Sequence, residues 1–231
     1  MTWFRTVPVL SGTLLCLAAA SWGAPATDPS LDAVLAILDQ ASANFKGLTA
    51  GIRKMSHTDV VNVDDVNSGT IMVKRVNPHD TRIRIELTNP QQIVTIGAGK
   101  AQVFKPKSNE ADEVELGKNR GLVDQFVLLG FGSNSADLRN AYLVTMGGAD
   151  SINGERATRI VLVPKDPEVL KHIKKCELWI SDKGLTIQQK FHTGGGDYSL
   201  CTYSAMKLNP VIADRDLKLE LPKGVKFGKL K

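Results

Sequence analysis

The residues that could do chemistry by type are few, and their spacing withholds it. His57, His79, His172 and His192 are scattered, and neither Cys176 nor Cys201 has a close partner, so no zinc-ligand spacing exists. Asp64 and Asp65 are adjacent; on a strand they would point to opposite faces, so a turn explains them better than an acid–base pair. No G-x-S-x-G occurs. Gly194, Gly195 and Gly196 stand between two strand-like runs, where a hairpin accounts for them. Gly130-Phe131-Gly132 is a lone G-x-G without the rest of a dinucleotide fingerprint. The expectation is no catalysis, no metal and no cofactor.

One cation is oddly placed. In the stretch SGTIMVKRVNP, residues 68–78, alternate strand side chains share a face, so Ile71 and Val73 point with Arg75 while Thr70, Met72 and Lys74 point away. If the β-branched side is buried, Arg75 projects from an apolar surface and needs several acceptors, because an unpaired buried charge is expensive. The alternative is that Met72 and Val76 mark the core side and Arg75 is a solvated edge residue. Parity alone leaves both open.

The elements around it supply candidates for a cover. Residues 28–46 read as a helix capped by Asp28, with Pro29 first and Gly47 as the stop. Leu31, Val34, Leu35, Leu38, Ala41 and Phe45 then form one stripe at helical spacing. From Leu48 the period becomes two, with strands expected at about 48–60, 67–76, 80–88, 91–97, 101–106 and 111–116, separated by turn residues. Arg82, Arg84 and Glu86 alternate with Ile83, Ile85 and Leu87, giving one wet and one dry face. Residues 117–142 interrupt the sheet: Leu122, Val123, Phe126, Val127 and Leu129 recur at helical spacing, Gly130 to Gly132 break that helix, and Ser135 caps another through Asn140. Strands resume at about 142–147 and 156–163, and Asp166-Pro167 opens a short helical turn to Ile173. In the meander that follows, Cys176, Leu178 and Ile180 face with Leu185, Ile187, Phe191, Cys201 and Tyr203, while Glu177, Gln188, Lys190 and His192 take the outside. A short strand at 217–221 ends the pattern. About eleven antiparallel strands, each dry on one face, curl into a barrel or half-barrel, with two helical segments left to close it. The fold class expected is mainly β (α+β): one unclosed antiparallel β-barrel with a helical lid.

The 231 residues, 42% hydrophobic, suit a globular chain. Arg5, the apolar run from Val7 to Ala20 and the small residues Ser21 and Gly23 form a secretory signal pattern, so residues 1–23 are expected to be a signal peptide and 24–231 one exported domain. Cleavage after Ala26 fits as well. The run is shorter than the roughly 20 residues of a membrane span. A lipid anchor on Cys16 is disfavoured because Leu15 stands where a small residue is wanted. The net charge of +5 becomes +4 once Arg5 is removed, with no basic block to suggest nucleic acid. Hairpins at 182–183 and near Gly195 would set Cys176 and Cys201 both opposite Gln189, on strands about 9 to 10 Å apart. A disulfide needs α-carbons within about 7 Å, so free thiols are expected.

With the elements in order, the chain resembles the LolA family of periplasmic lipoprotein carriers over essentially the whole mature sequence. The resemblance is carried by the helix ending in Phe45, the Gly69 to Arg75 strand ending V-K-R, Gly99-Lys100 leading to Val103-Phe104-Lys105-Pro106, and Leu128-Leu129-Gly130-Phe131-Gly132. Leu162-Val163-Pro164-Lys165, the run from Leu178 to Gly184 and Leu221-Pro222-Lys223-Gly224-Val225 complete it. No single piece is specific; the ordered set is. It implies a monomeric periplasmic carrier that takes acylated lipoproteins from an inner-membrane ABC-type releasing complex, shields their acyl chains and passes them to an outer-membrane receptor. Arg75 would be the latch that hydrogen-bonds the lid and holds the empty cavity shut, the carbonyls at Lys46–Gly47 and Leu129–Gly130 being the expected acceptors. The lining would be Ile71, Val73, Ile83, Ile85, Leu87, Leu178, Ile180, Ile187, Phe191 and Tyr203, and the lid would present Leu35, Leu38, Phe45, Leu122, Phe126 and Leu129. The sequence departs from the family where Val76 follows Arg75 and the proline is delayed to Pro78, and Trp179 is the one tryptophan of the mature chain. A periplasmic lipid- or lipoprotein-sensing regulator on the same half-barrel is the competing reading. Such regulators carry an additional C-terminal domain, for which residues up to Lys231 leave no room.

Overall fold

The computed structural model describes residues 29–77, 80–97, 99–115 and 129–228. The signal peptide expected at 1–23, the cap at Asp28, Pro78, and the helix expected around Leu122 and Phe126 lie outside the described residues. Helix α1 (Leu31–Ala43) comes first. Strands β1 (Gly47–Thr58), β2 (Val63–Asn77), β3 (Asp80–Thr88), β4 (Gln91–Gly97), β5 (Lys100–Lys105) and β6 (Glu110–Glu115) follow. Helix α2 (Ser135–Ala141) leads to β7 (Tyr142–Ile152) and β8 (Glu155–Pro164); helix α3 (Pro167–His172) precedes β9 (Lys175–Ser181), β10 (Thr186–Gly194) and β11 (Asp197–Leu208). A 3-10 turn (Asp214–Leu217) and β12 (Lys226–Gly228) end the described chain.

These strands form one sheet in the order β12-β6-β5-β4-β3-β2-β1-β11-β10-β9-β8-β7, so β12 and β7 are open edges and the barrel is not closed. Among the described residues there are twelve strands, where about eleven are expected. All neighbours are antiparallel except β12, which joins β6 in parallel. Pairing of β1 with β11 joins the two halves of the chain.

Three local departures have physical causes. Ser30 caps α1, its hydroxyl accepting from the Ala33 amide at 3.2 Å, and the helix closes at Asn44 before Gly47. Gly47 is already a strand residue, paired with Lys74. The joint between α1 and β1 is held from outside: Asn209 Oδ1 accepts from the Lys46 and Gly47 amides at 2.7 and 3.3 Å, and Asn209 Nδ2 donates to the Asn44 carbonyl at 2.9 Å. Second, α2 is capped by Asn134, whose Oδ1 accepts from the Asp137 amide at 2.8 Å. Ser135, expected as the cap, instead presents its amide and hydroxyl to Asp39 of α1, both at 2.6 Å. Third, 217–221 is not a strand. It lies over the outer face of β3 and β4, whose edges are already paired; Leu217 is buried there and the Arg84 guanidinium donates to the Lys218 carbonyl.

The dry faces point inward onto two apolar cores. One gathers Val34, Leu35 and Leu38 of α1 with Leu129, Ile160, Leu162, Cys176, Leu178 and Ile180. The other gathers Phe45, Leu48, Ile52, Ile71, Val73, Ile83, Leu87, Phe131 and Tyr203. Both cysteines are free. Cys201 stands opposite Gln189 as expected, but Cys176 faces Phe191, because the β9–β10 turn is one residue off the expected hairpin and a bulge between Thr186 and Gln188 shifts the register by one more.

Candidate functional site

The site is the covered inner face. Strand β2 is half-buried and alternates as its sequence suggests, so Ile71, Val73 and Arg75 all project beneath the lid. The Arg75 guanidinium donates to the carbonyl of Gly132 and reaches the Ser42 carbonyl at 3.5 Å, and its carbon lies 5.3 Å from the centroid of the Phe45 ring. The solvated-edge reading is thereby replaced. The acceptors are displaced by a few residues from those expected: the Ser42 carbonyl, which also accepts from the Phe45 amide at 3.2 Å, lies in the last turn of α1, where partial negative charge collects. Gly132 can approach because it has no side chain. Its φ of +77° is left-handed, and a Cβ there would strike Arg75 Nη2 and stand 2.6 Å from Phe45 Cδ1.

The segment 129–132 plugs both cores. Leu129 enters the first and Phe131 the second, where its ring meets Tyr203 edge-on, centroids 4.9 Å apart. Leu35 and Leu38 press on the first core and Phe45 on the second. Among the described residues, a cavity of about 20 Å³ remains between Leu38, Phe45, Phe131, Thr186 and Met206. That is room for one or two waters. Where it is described, the inner face beneath the lid is filled by the protein's own side chains.

Of the expected lining, Ile71, Val73, Ile83, Leu87 and Tyr203 belong to the second core with Ile85 packed on it, and Leu178 and Ile180 belong to the first with Phe191 packed on it. Ile187 does not line the inner face. The bulge turns it to the reverse side, where it is buried with Ala157 and Trp179. Leu122 and Phe126 lie outside the described residues.

Sequence reasoning passed over Gln189, whose parity with Phe191 was the available signal. Its Nε2 donates to the Leu129 carbonyl and its Oε1 accepts from the Tyr203 hydroxyl at 2.8 Å. Burial pushes the Tyr203 hydroxyl well above its ordinary range, so it stays a donor. Burial likewise pushes the Cys176 thiol up to about 12, which makes it an inert core group. On the outer face, burial alone would raise the Glu177 carboxyl, but the Lys175 ammonium at 3.0 Å and His192 at 2.9 Å outweigh it and hold it below the usual range. Among the described residues no group of acids, histidines and cysteines is placed to hold a metal, and no helix is long and apolar enough to cross a membrane.

No family model and no curated protein matches the sequence. Solved structures do. A Thermus thermophilus protein, described as uncharacterized and conserved, is 10% identical with a TM-score of 0.53, over 87% of this chain and 100% of that one. MucB, also solved with MucA from Pseudomonas aeruginosa, is 16% identical with a TM-score of 0.49, over 83% of this chain and 64% of MucB. The chain therefore spans just under two thirds of the length of MucB. A LolA superfamily protein from Nitrosomonas europaea is 14% identical with a TM-score of 0.41, over 83% of this chain and 98% of that one. At these identities the likeness is one of fold alone: the unclosed β-sheet under helices is shared with the Thermus thermophilus protein.

Proposed function

We propose that this chain is an exported, periplasmic carrier of acylated lipoproteins. It shields their acyl chains between an inner-membrane ABC-type releasing complex and an outer-membrane receptor, and has no catalytic step. At about 0.8 kcal/mol per buried CH₂, a sixteen-carbon chain carries on the order of 12 kcal/mol of transfer free energy, so crossing water needs an apolar host. The observation that supports the reading most is the set of contacts Arg75 makes with the lid. A guanidinium on a dry sheet face joins two lid segments, at Ser42 and Gly132, above apolar cores that the lid itself fills. A permanent core gains little from an arginine there. A lid that must lift for acyl chains and shut behind them needs a polar catch that can be broken and remade.

The test is mass spectrometry of organic extracts and co-purified proteins from the native protein, followed by transfer of bound lipoprotein to outer-membrane acceptor. Co-purified lipoprotein that transfers is the expected result. Free lipid or lipopolysaccharide without lipoprotein would instead favour a lipid-sensing regulator.

A further inference from the structure

Among the described residues the inner face is mostly apolar; besides Arg75, Thr81 and the Tyr142 hydroxyl of the first core, it carries one polar cluster. Thr186 and Gln189 of β10 and Tyr203 of β11 are 1%, 4% and 6% exposed. A backbone carbonyl can only accept, so the Gln189 nitrogen must face Leu129 and its oxygen must face Tyr203. Thr186 Oγ1 is buried with no hydrogen-bond partner among the described residues. Thr186 Oγ1 and Gln189 Nε2 stand 2.6 and 2.8 Å from where a Cβ on Gly130 would sit, so the lid backbone comes this close only because residue 130 is glycine. In the closed protein, one lid carbonyl is held by a fixed amide, and a spare hydroxyl lies beside the next lid residue.

Lifting the lid withdraws that carbonyl. The Gln189 amide is then an unsatisfied donor inside an apolar chamber, which is costly, and a bare hydrocarbon offers it nothing. The carbonyl at the head of an acyl chain does. Resting on the carrier reading, we propose that Gln189, oriented by Tyr203 and joined by the Thr186 hydroxyl, is the binding point for the ligand's ester or amide carbonyl. That carbonyl takes the place of Leu129's, so the cavity selects fatty acyl esters and amides over plain alkyl chains. Ligand and lid then compete for one hydrogen-bond donor as well as for one apolar space.

The experiment is displacement of a bound apolar fluorophore from the purified protein by 1,2-dipalmitoylglycerol and by its ether counterpart 1,2-di-O-hexadecylglycerol, which keeps the chains and lacks the carbonyls. The ester should bind about tenfold more tightly than the ether, which is about 1.4 kcal/mol. Gln189→Leu should bring the ratio near one while still binding both. Should Gln189→Leu fail to fold, Thr186→Val carries the test: it removes a hydroxyl that has no partner among the described residues, so stability should be unchanged or higher, while the ratio falls about two- to threefold. A diacylglyceryl-cysteine lipopeptide and dipalmitoylphosphatidylglycerol, run alongside, show whether the preferred ester comes from a lipoprotein or a free lipid. Equal binding of ester and ether by the wild type, or a ratio unmoved by both substitutions, overturns the proposal. Failure of every acylated ligand to bind overturns the carrier reading and this inference with it.

Discussion

Replacing Arg75 with leucine should unlatch the lid without unfolding the barrel, and the geometry sets the size of the effect. The bond to the Gly132 carbonyl is charge-assisted, about 1.5–3 kcal/mol. The Ser42 contact, at 3.5 Å, is at the limit of a hydrogen bond and adds little. The guanidinium over Phe45 is worth about 0.5–1 kcal/mol where partly exposed. Leucine returns part of this by packing on Phe45 and by removing a charge that is expensive to desolvate. The net bias lost is about 1.5–3 kcal/mol, roughly a 10- to 150-fold fall in the closed-to-open ratio. Because apparent affinity scales with the fraction of competent protein, an acyl ligand should bind more tightly by up to that factor and leave more slowly. Arg75→Lys should fall between, since an ammonium lacks the planar fork. Equilibrium titration with a fluorescent fatty-acyl probe gives the affinity, competition gives the release rate, and circular dichroism checks the fold. Wild-type affinity and wild-type release in a folded Arg75→Leu protein would refute the latch.

Gly132→Ala should act in the same direction and cost stability besides: a left-handed φ of +77° in a residue with a side chain costs about 1–2 kcal/mol, before the contact with Phe45. Chemical denaturation should show its midpoint lowered, beside tighter probe binding. Two thiols per mature chain, without the expected signal segment that holds Cys16, should titrate after denaturation without reductant, and Cys176, fully buried with its thiol pushed up to about 12, should resist thiol reagents until then. Acid should destabilise the protein in two stages. Burial lowers the His192 pKa, so its contribution is present above the ordinary histidine value near 6.5 and is lost as pH falls through the folded value. Asp150, lowered by the Trp179 indole bond, and Glu177 follow as pH falls below the ordinary carboxylate range near 4. Thermal melts should therefore be flat from about pH 8 to 7 and fall below about 6.5, and His192→Gln should remove the first stage. Melting temperatures that rise on acidification would contradict these assignments.

Much of this was legible because burial on one face writes itself into alternation. Arg82 to Leu87 announces its strand and its sides, and β2 does so clearly enough to single out Arg75. The lining positions of β2, β3 and β9 follow from the same parity. What failed was register. Nothing in Thr186-Ile187-Gln188 announces the extra residue that turns Ile187 to the back of the sheet and, with the one-residue shift of the β9–β10 turn, slides Cys176 opposite Phe191. A bulge costs no change of residue type, so parity carries straight through it. Caps were ambiguous for a similar reason: Asp28 and Ser30, or Asn134 and Ser135, are equally good acceptors, and at the second helix the choice falls to which one Asp39 needs as a donor. Leu217, Leu219 and Leu221 alternate like a strand, but alternation cannot report whether a free sheet edge exists to pair with. Gln189 was missed because a glutamine between apolar neighbours invites no question until its two partners are seen.

The Asn209 side chain has a mechanical consequence. By gripping three backbone groups of residues 44–47 it fixes a pivot at one end of α1, while the thirteen helical residues beyond it form an arm of about 20 Å. Ser42 lies about 5 Å or less along that arm, so the catch acts near the fulcrum and Leu31 swings at the tip. A displacement of about 1 Å at Ser42 thus becomes roughly 4 Å at Leu31. In the proposed carrier, that arm ratio would let a single arginine govern the lid through small strokes, and would make the tip of the helix the place where an arriving partner gains the most leverage.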